Sequence, residues 1–133
     1  MKKDNSVSPQ IAAWLRKAQE DEFAVMALLK EKVSISNVVF FSQQIVEKLM
    51  KAFLIHLNIE PPKTHDLVKL ESMICEHDSS FNQFHSEFEQ LCQYYIETRY
   101  PGDWPEGIDI KEAKIAFESA LKIKDFIFKK LGI

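Results

Sequence analysis

Hydrophobic positions recur every three or four residues along most of the chain, and their densest run spans residues 38–57, VVFFSQQIVEKLMKAFLIHL. Wound at 3.6 residues per turn, this run sets Val38, Val39, Phe41, Ile45, Val46, Leu49, Met50, Ala52, Phe53 and Leu57 on one arc covering roughly half of the helix circumference. A helix this apolar touches more than one neighbour. Gln43, Gln44, Glu47, Lys48 and Lys51 collect on the remaining arc, interrupted by Phe40, Leu54 and Ile55. Glu47 and Lys51 stand one turn apart with the acid first, an arrangement expected to act as a helical ion pair worth ~0.2–0.5 kcal/mol.

The same periodicity predicts four further helices. Ser8-Pro9 is a helix start, the hydroxyl capping free amides and the proline suiting the first turn. Ile11, Leu15, Ala18, Val25, Met26 and Leu29 then hold helical spacing to about residue 30, with Arg16, Lys17, Glu20, Asp21 and Glu22 expected on a solvated face. Ser34 and Ser36 offer caps for the second helix, and Pro61-Pro62 is expected to end it. Thr64 is expected to cap a short third helix carrying Leu67, Leu70, Met73 and Ile74 to a stop near His77. A fourth restarts at Ser79-Ser80 and lines up Phe81, Phe84, Phe88, Leu91 and Tyr95, a stripe whose spacing suits core packing better than base stacking. Residues 99–108, with two prolines and two glycines, read as a loop carrying Tyr100 and Trp104. Asp109 and Glu112 form a capping-box pattern for a fifth helix, Ala113 through Leu131, with Gly132 as its stop. The prediction is an all-α antiparallel bundle of four long helices and one short helix, a single domain over residues 1–133.

Composition narrows the class. Among the 133 residues, 46% are hydrophobic and 28% charged, and glycine and proline are scarce, which suits long helices. The net charge of −3 disfavours nucleic-acid binding by general electrostatics, so an RNA contact would have to be local or shared across an oligomer. Cys75 and Cys92 lie outside any Cys-x-x-Cys pattern and read as free thiols in a reducing compartment. No run approaches the ~20 apolar residues that span a bilayer, and the N-terminal lysines lack an apolar stretch behind them. The expected location is the cytoplasm.

Motifs for metal and phosphate chemistry are not found. No Glu lies three residues before His56, His65, His77 or His85, as a bundle di-metal centre requires, and the three glycines fit neither a P-loop nor a dinucleotide pattern. Neither metal nor cofactor is expected, and no catalytic residue is assigned. Polar groups in unusual places remain: the second helix's polar arc, His65-Asp66 opening the third, and Arg99-Tyr100 closing the fourth. For Arg99 and Asp66 the structural reading is complementation of a helix dipole.

Phe41-Ser42-Gln43-Gln44 leading into Glu47-Lys48-Leu49-Met50-Lys51-Ala52, then Thr64-His65-Asp66-Leu67, then Arg99-Tyr100-Pro101, resembles the HEPN domain, the nucleotide-binding domain of higher eukaryotes and prokaryotes. The resemblance covers essentially the whole chain. It implies an antiparallel bundle, usually a homodimer, similar to the C-terminal domain of kanamycin nucleotidyltransferase, and often partnered with a separate minimal nucleotidyltransferase as toxin and antitoxin. Ribonuclease members carry an arginine followed, after four to six residues, by a histidine. Arg99 matches the arginine, whereas Trp104, Pro105 and Glu106 stand where the histidine would be. The resemblance therefore points to a non-catalytic module that binds a nucleotide or anion through Arg99 and Lys51, with Gln43, Gln44, Glu47, His65, Asp66 and Tyr100 lining the groove. A metal-independent ribonuclease using Arg99 with a histidine supplied elsewhere, such as His65 or one from a second subunit, and a purely structural dimerisation domain, are the alternatives.

Overall fold

The computed structural model describes residues 7–97 and 108–133. Among these described residues it is an all-α bundle of five α-helices: α1, Pro9–Glu31; α2, Ile35–His56; α3, Leu67–Cys75; α4, His85–Glu97; and α5, Ile110–Leu131. Among the described residues no helix is long and apolar enough to cross a membrane, and Cys75 and Cys92 are both free.

Local chemistry fixes most helix ends. Ser8 accepts the Ile11 amide and Pro9 opens α1, as the sequence predicts. Asp109 Oδ1 accepts the Glu112 amide at 2.9 Å, and Gly132, at φ +78°, closes α5 in the left-handed region that glycine enters without penalty. Glu112 does not complete the capping box: its carboxylate takes the Tyr94 hydroxyl at 2.5 Å, joining α4 to α5. At α3 the cap is Asp66 rather than Thr64, accepting the amides of Val68 and Lys69, while Thr64 accepts the amide of Asp66 and shapes the approach. The turn from α1 to α2 passes through two left-handed residues without a glycine, Lys32 (φ 56°) and Ser34 (φ 53°), and Ser34 makes no side-chain cap. Its shortness sets the two helices antiparallel.

α2 occupies the centre and touches all four other helices. Val38, Val39, Ile45, Val46, Leu49, Met50, Ala52, Phe53 and Leu54 are buried, and with them Ser42, Gln43, Glu47 and Lys51. The polar arc expected to line a groove is largely covered, because α1, α4 and the segment leading into α3 close over it. Two more expectations change. Asp21 and Glu22 do not lie on a solvated face: Asp21 bonds Lys48 of α2 at 2.6 Å, and Glu22 bonds Lys124 of α5 at 2.7 Å. Met26, placed on the core stripe by spacing, is instead exposed. Helix α2 also ends at His56, before Pro61-Pro62, with Asn58 at φ 64° turning the chain away.

The aromatic stripe enters the core as predicted, with a change of pitch. Ser79–Phe84 forms a 3₁₀ turn before α4 begins at His85, and Phe81 packs between Phe53 and Phe126 at centroid distances of 4.7 and 5.2 Å. Within α4, Tyr94 rather than Tyr95 is the buried one of the pair, three residues after Leu91 on the same helical face.

Candidate functional site

The covered polar arc of α2 is built around the Glu47 carboxylate. Oε1 accepts hydrogen bonds from Gln43 Nε2 and Gln44 Nε2, both at 3.2 Å, and from His65 Nδ1 at 3.0 Å; Oε2 accepts Lys51 Nζ at 3.0 Å. The side chains of Glu47 and Lys51 are only 5% and 7% exposed. Two charges so far from water persist because each is paired and hydrogen-bonded. Lys51 Nζ also lies 5.6 Å from the ring centroid of Trp14 on α1, a cation–π contact covering its outer side.

Gln43 links this carboxylate to the chain leading into α3. Its amide nitrogen donates to Glu47 and to the His65 carbonyl at 3.1 Å, and its oxygen accepts Gln44 Nε2 at 2.7 Å. A buried amide is thereby satisfied on both ends, and His65 is held at its backbone as well as its ring. Asp66, the next residue, is occupied in capping α3 and accepts Cys92 Sγ at 3.4 Å.

His65 is the outlet of the cluster. Its side chain is 49% exposed, and its ring stacks on Tyr95 of α4 with centroids 4.0 Å apart and planes 13° apart. A carboxylate can only accept, so Nδ1 carries the proton and, in the neutral ring, Nε2 is the open acceptor. Among the described residues Nε2 has no hydrogen-bond partner. A ring tied at one nitrogen and stacked on one face can meet a ligand only at its free edge.

The chain matches the family model described as HEPN domain over residues 11–131. It belongs to the HEPN family. The crystal structure of TT1696 from Thermus thermophilus shares the fold, with a TM-score of 0.82 at 23% identity, covering 92% of this chain and 99% of that one. No curated protein matches.

Of the residues singled out in this HEPN domain, the fold gathers Gln43, Gln44, Glu47, Lys51 and His65 into one network, with Asp66 at its edge. Arg99 and Tyr100 lie outside the described residues, as does Trp104. Lys48, which shares the polar arc, points the other way and pairs with Asp21, whose carboxyl burial pushes above its usual range against the pull of that lysine. Sequence reasoning missed Trp14 and assigned Tyr95 to the core. The signal for Tyr95 was the neighbouring Tyr94, three residues after Leu91, which satisfies the stripe equally well.

A second acid–histidine contact joins the middle of α3 to the start of α4. His85 Nδ1 sits 2.7 Å from Glu71, another buried acid, but its Nε2 faces Glu89 at 3.4 Å. Both nitrogens are engaged, and Glu71 holds the imidazole above its ordinary pKa. Among the described residues no group of three or more His, Cys, Asp or Glu side chains is arranged to hold a metal ion.

Proposed function

We propose that this HEPN protein is a nucleotide-binding accessory module, without catalysis of its own, that works with a separate minimal nucleotidyltransferase in a toxin–antitoxin-like pair and acts as a homodimer. The observation that carries the reading is the Glu47-centred network, which spends two buried charges and two amides on fixing one half-exposed imidazole. A bundle held together only by its apolar core has no need of such a network, since replacing a buried ion pair by apolar residues is often neutral or stabilising. Family membership supports a nucleotide as the ligand. Arg99, four residues beyond Tyr95 in the sequence, is assigned to an anionic group of that ligand, and Gln43, Gln44, Glu47 and Lys51 to building the wall behind it.

The test is titration of the purified protein with nucleotides, followed by the Arg99→Ala variant. Saturable binding that weakens about tenfold in the variant, with an unchanged melting temperature, is the expected result. Absence of any saturable nucleotide binding would reduce the chain to a structural module. Purification of the tagged protein from its host should bring down a small nucleotidyltransferase.

One observation favours a second reading, a metal-independent ribonuclease. An imidazole oriented by a carboxylate is the arrangement that general acid–base catalysis uses, and His65 supplies a histidine where positions 104–106 do not. Cleavage of RNA that is lost in both His65→Gln and Arg99→Ala would establish it.

A further inference from the structure

Resting on the nucleotide-binding reading, we propose that His65 is a phosphate contact beside Arg99, that it binds the phosphate of a nucleoside monophosphate as an imidazolium, and that Glu47 is the residue positioning it. Binding is then coupled to uptake of one proton at Nε2.

The charge arrangement argues this. Glu47 and Lys51 neutralise one another at 3.0 Å, and Lys51 is covered by Trp14, so the buried pair presents no net charge at the surface. The charged and titratable groups around the ring are Glu47 and Lys51 from α2, Asp66 at the head of α3, and Cys92 and Tyr95 from α4. Asp66 is committed to the first amides of α3 and to the Cys92 thiol, which burial pushes up and keeps protonated. Among these described groups, the one that can become cationic toward solvent is His65. A proton at Nε2 turns the open edge of a fixed ring from an acceptor into a donor carrying positive charge, the form complementary to a phosphate oxygen.

The contrast with His85 separates a presenting histidine from a bridging one. Both have Nδ1 on a buried glutamate, but His85 spends Nε2 on Glu89 whereas His65 leaves it open. Tyr95 holds the ring plane without using either nitrogen. Lys51, committed to Glu47, then acts indirectly: it keeps the carboxylate in place behind the ring.

The experiment is calorimetric titration of the full chain with AMP and with adenosine, between pH 7.0 and 8.5, in buffers of different ionisation enthalpy. AMP stays largely dianionic over that range because its second phosphate pKa is about 6, so protons taken up are counted on the protein. AMP affinity should fall from pH 7.0 to 8.5 with net proton uptake on binding, whereas adenosine should show neither effect. His65→Gln, a surface-facing change, should abolish both and leave the fold intact. Nitrogen NMR of the free protein should report the tautomer with the proton on Nδ1, and the Glu47→Leu/Lys51→Met double variant, which removes the charge pair and the acceptor together, should lose that preference. AMP binding that is independent of pH and takes up no proton would overturn this inference while leaving nucleotide binding standing. Persistence of the pH dependence in His65→Gln would overturn it equally, and absence of binding by AMP, adenosine and every other nucleotide tested would overturn both.

Discussion

At the scale of single residues, Glu47 and Lys51 show how far context changes the worth of one pair. Spacing alone makes them a surface contact of a few tenths of a kcal/mol, whereas burial makes each dependent on the other. Lys51→Met should destabilise the domain by about 3–5 kcal/mol, because it leaves a buried carboxylate without its cation. Changing both residues to apolar ones of similar size should recover most of that loss, measured by chemical denaturation of the three variants. His85 offers a second residue-scale test through pH. Its folded pKa is raised, chiefly by the hydrogen bond to Glu71, so its contribution to stability is fully present below the unfolded value near 6.5 and is lost as pH rises through the higher folded value. The melting temperature of the wild type should therefore decline across that window, and His85→Gln should flatten this part of the profile. The residue types of the candidate site were legible in the sequence because glutamines, a glutamate and a lysine interrupt an otherwise apolar helix. Their burial was not, since periodicity ranks a face as polar without knowing what another helix will place over it. Asp21 and Glu22 failed for the same reason: their partners Lys48 and Lys124 lie on α2 and α5, 27 and 102 residues away.

At the scale of elements, the helices with strong terminal chemistry were the ones whose limits could be read. Ser8-Pro9, Asp109 and Gly132 each act locally, within one turn of chain, so sequence suffices. Thr64 and Asp66 compete for one cap, and the choice falls to the residue whose oxygen reaches two amides. The 3₁₀ turn at Ser79–Phe84 carried no separate signal, because a stripe at spacings of three and four suits either helix type. The link from α1 to α2 carries a cost that sequence alone conceals. Lys32 sits at φ 56° while its amide bonds the last carbonyls of α1, a position where a side chain is disfavoured and glycine is not. Lys32→Gly should therefore stabilise the domain by about 0.5–1 kcal/mol, the left-handed penalty relieved being partly offset by the freer unfolded chain. A rise in the denaturation midpoint with an unchanged slope would confirm that the gain lies in the folded turn.

At the scale of the whole molecule, one buried cluster draws on every helix, from Ala18 and Val25 of α1 to Ile123 and Ile127 of α5. Helix α2 runs through its middle, so no subset of helices has a core of its own to retreat to. Polar ties across the bundle follow the same plan: Asp21–Lys48 and Glu22–Lys124 fasten α1 to α2 and α5, and Tyr94–Glu112 fastens α4 to α5. Phe81 tests whether this continuity makes the chain a single cooperative unit. It is fully buried, on the 3₁₀ turn between α3 and α4, and its ring bridges Phe53 of α2 and Phe126 of α5. Phe81→Ala should cost about 3–5 kcal/mol through lost burial and the cavity left behind. Loss of helix, followed by circular dichroism, should still coincide with the change in tryptophan fluorescence, to which Trp14 of α1 contributes. A variant in which fluorescence changes well after half the helix has melted would show that α1 and α2 persist as a separate folding unit.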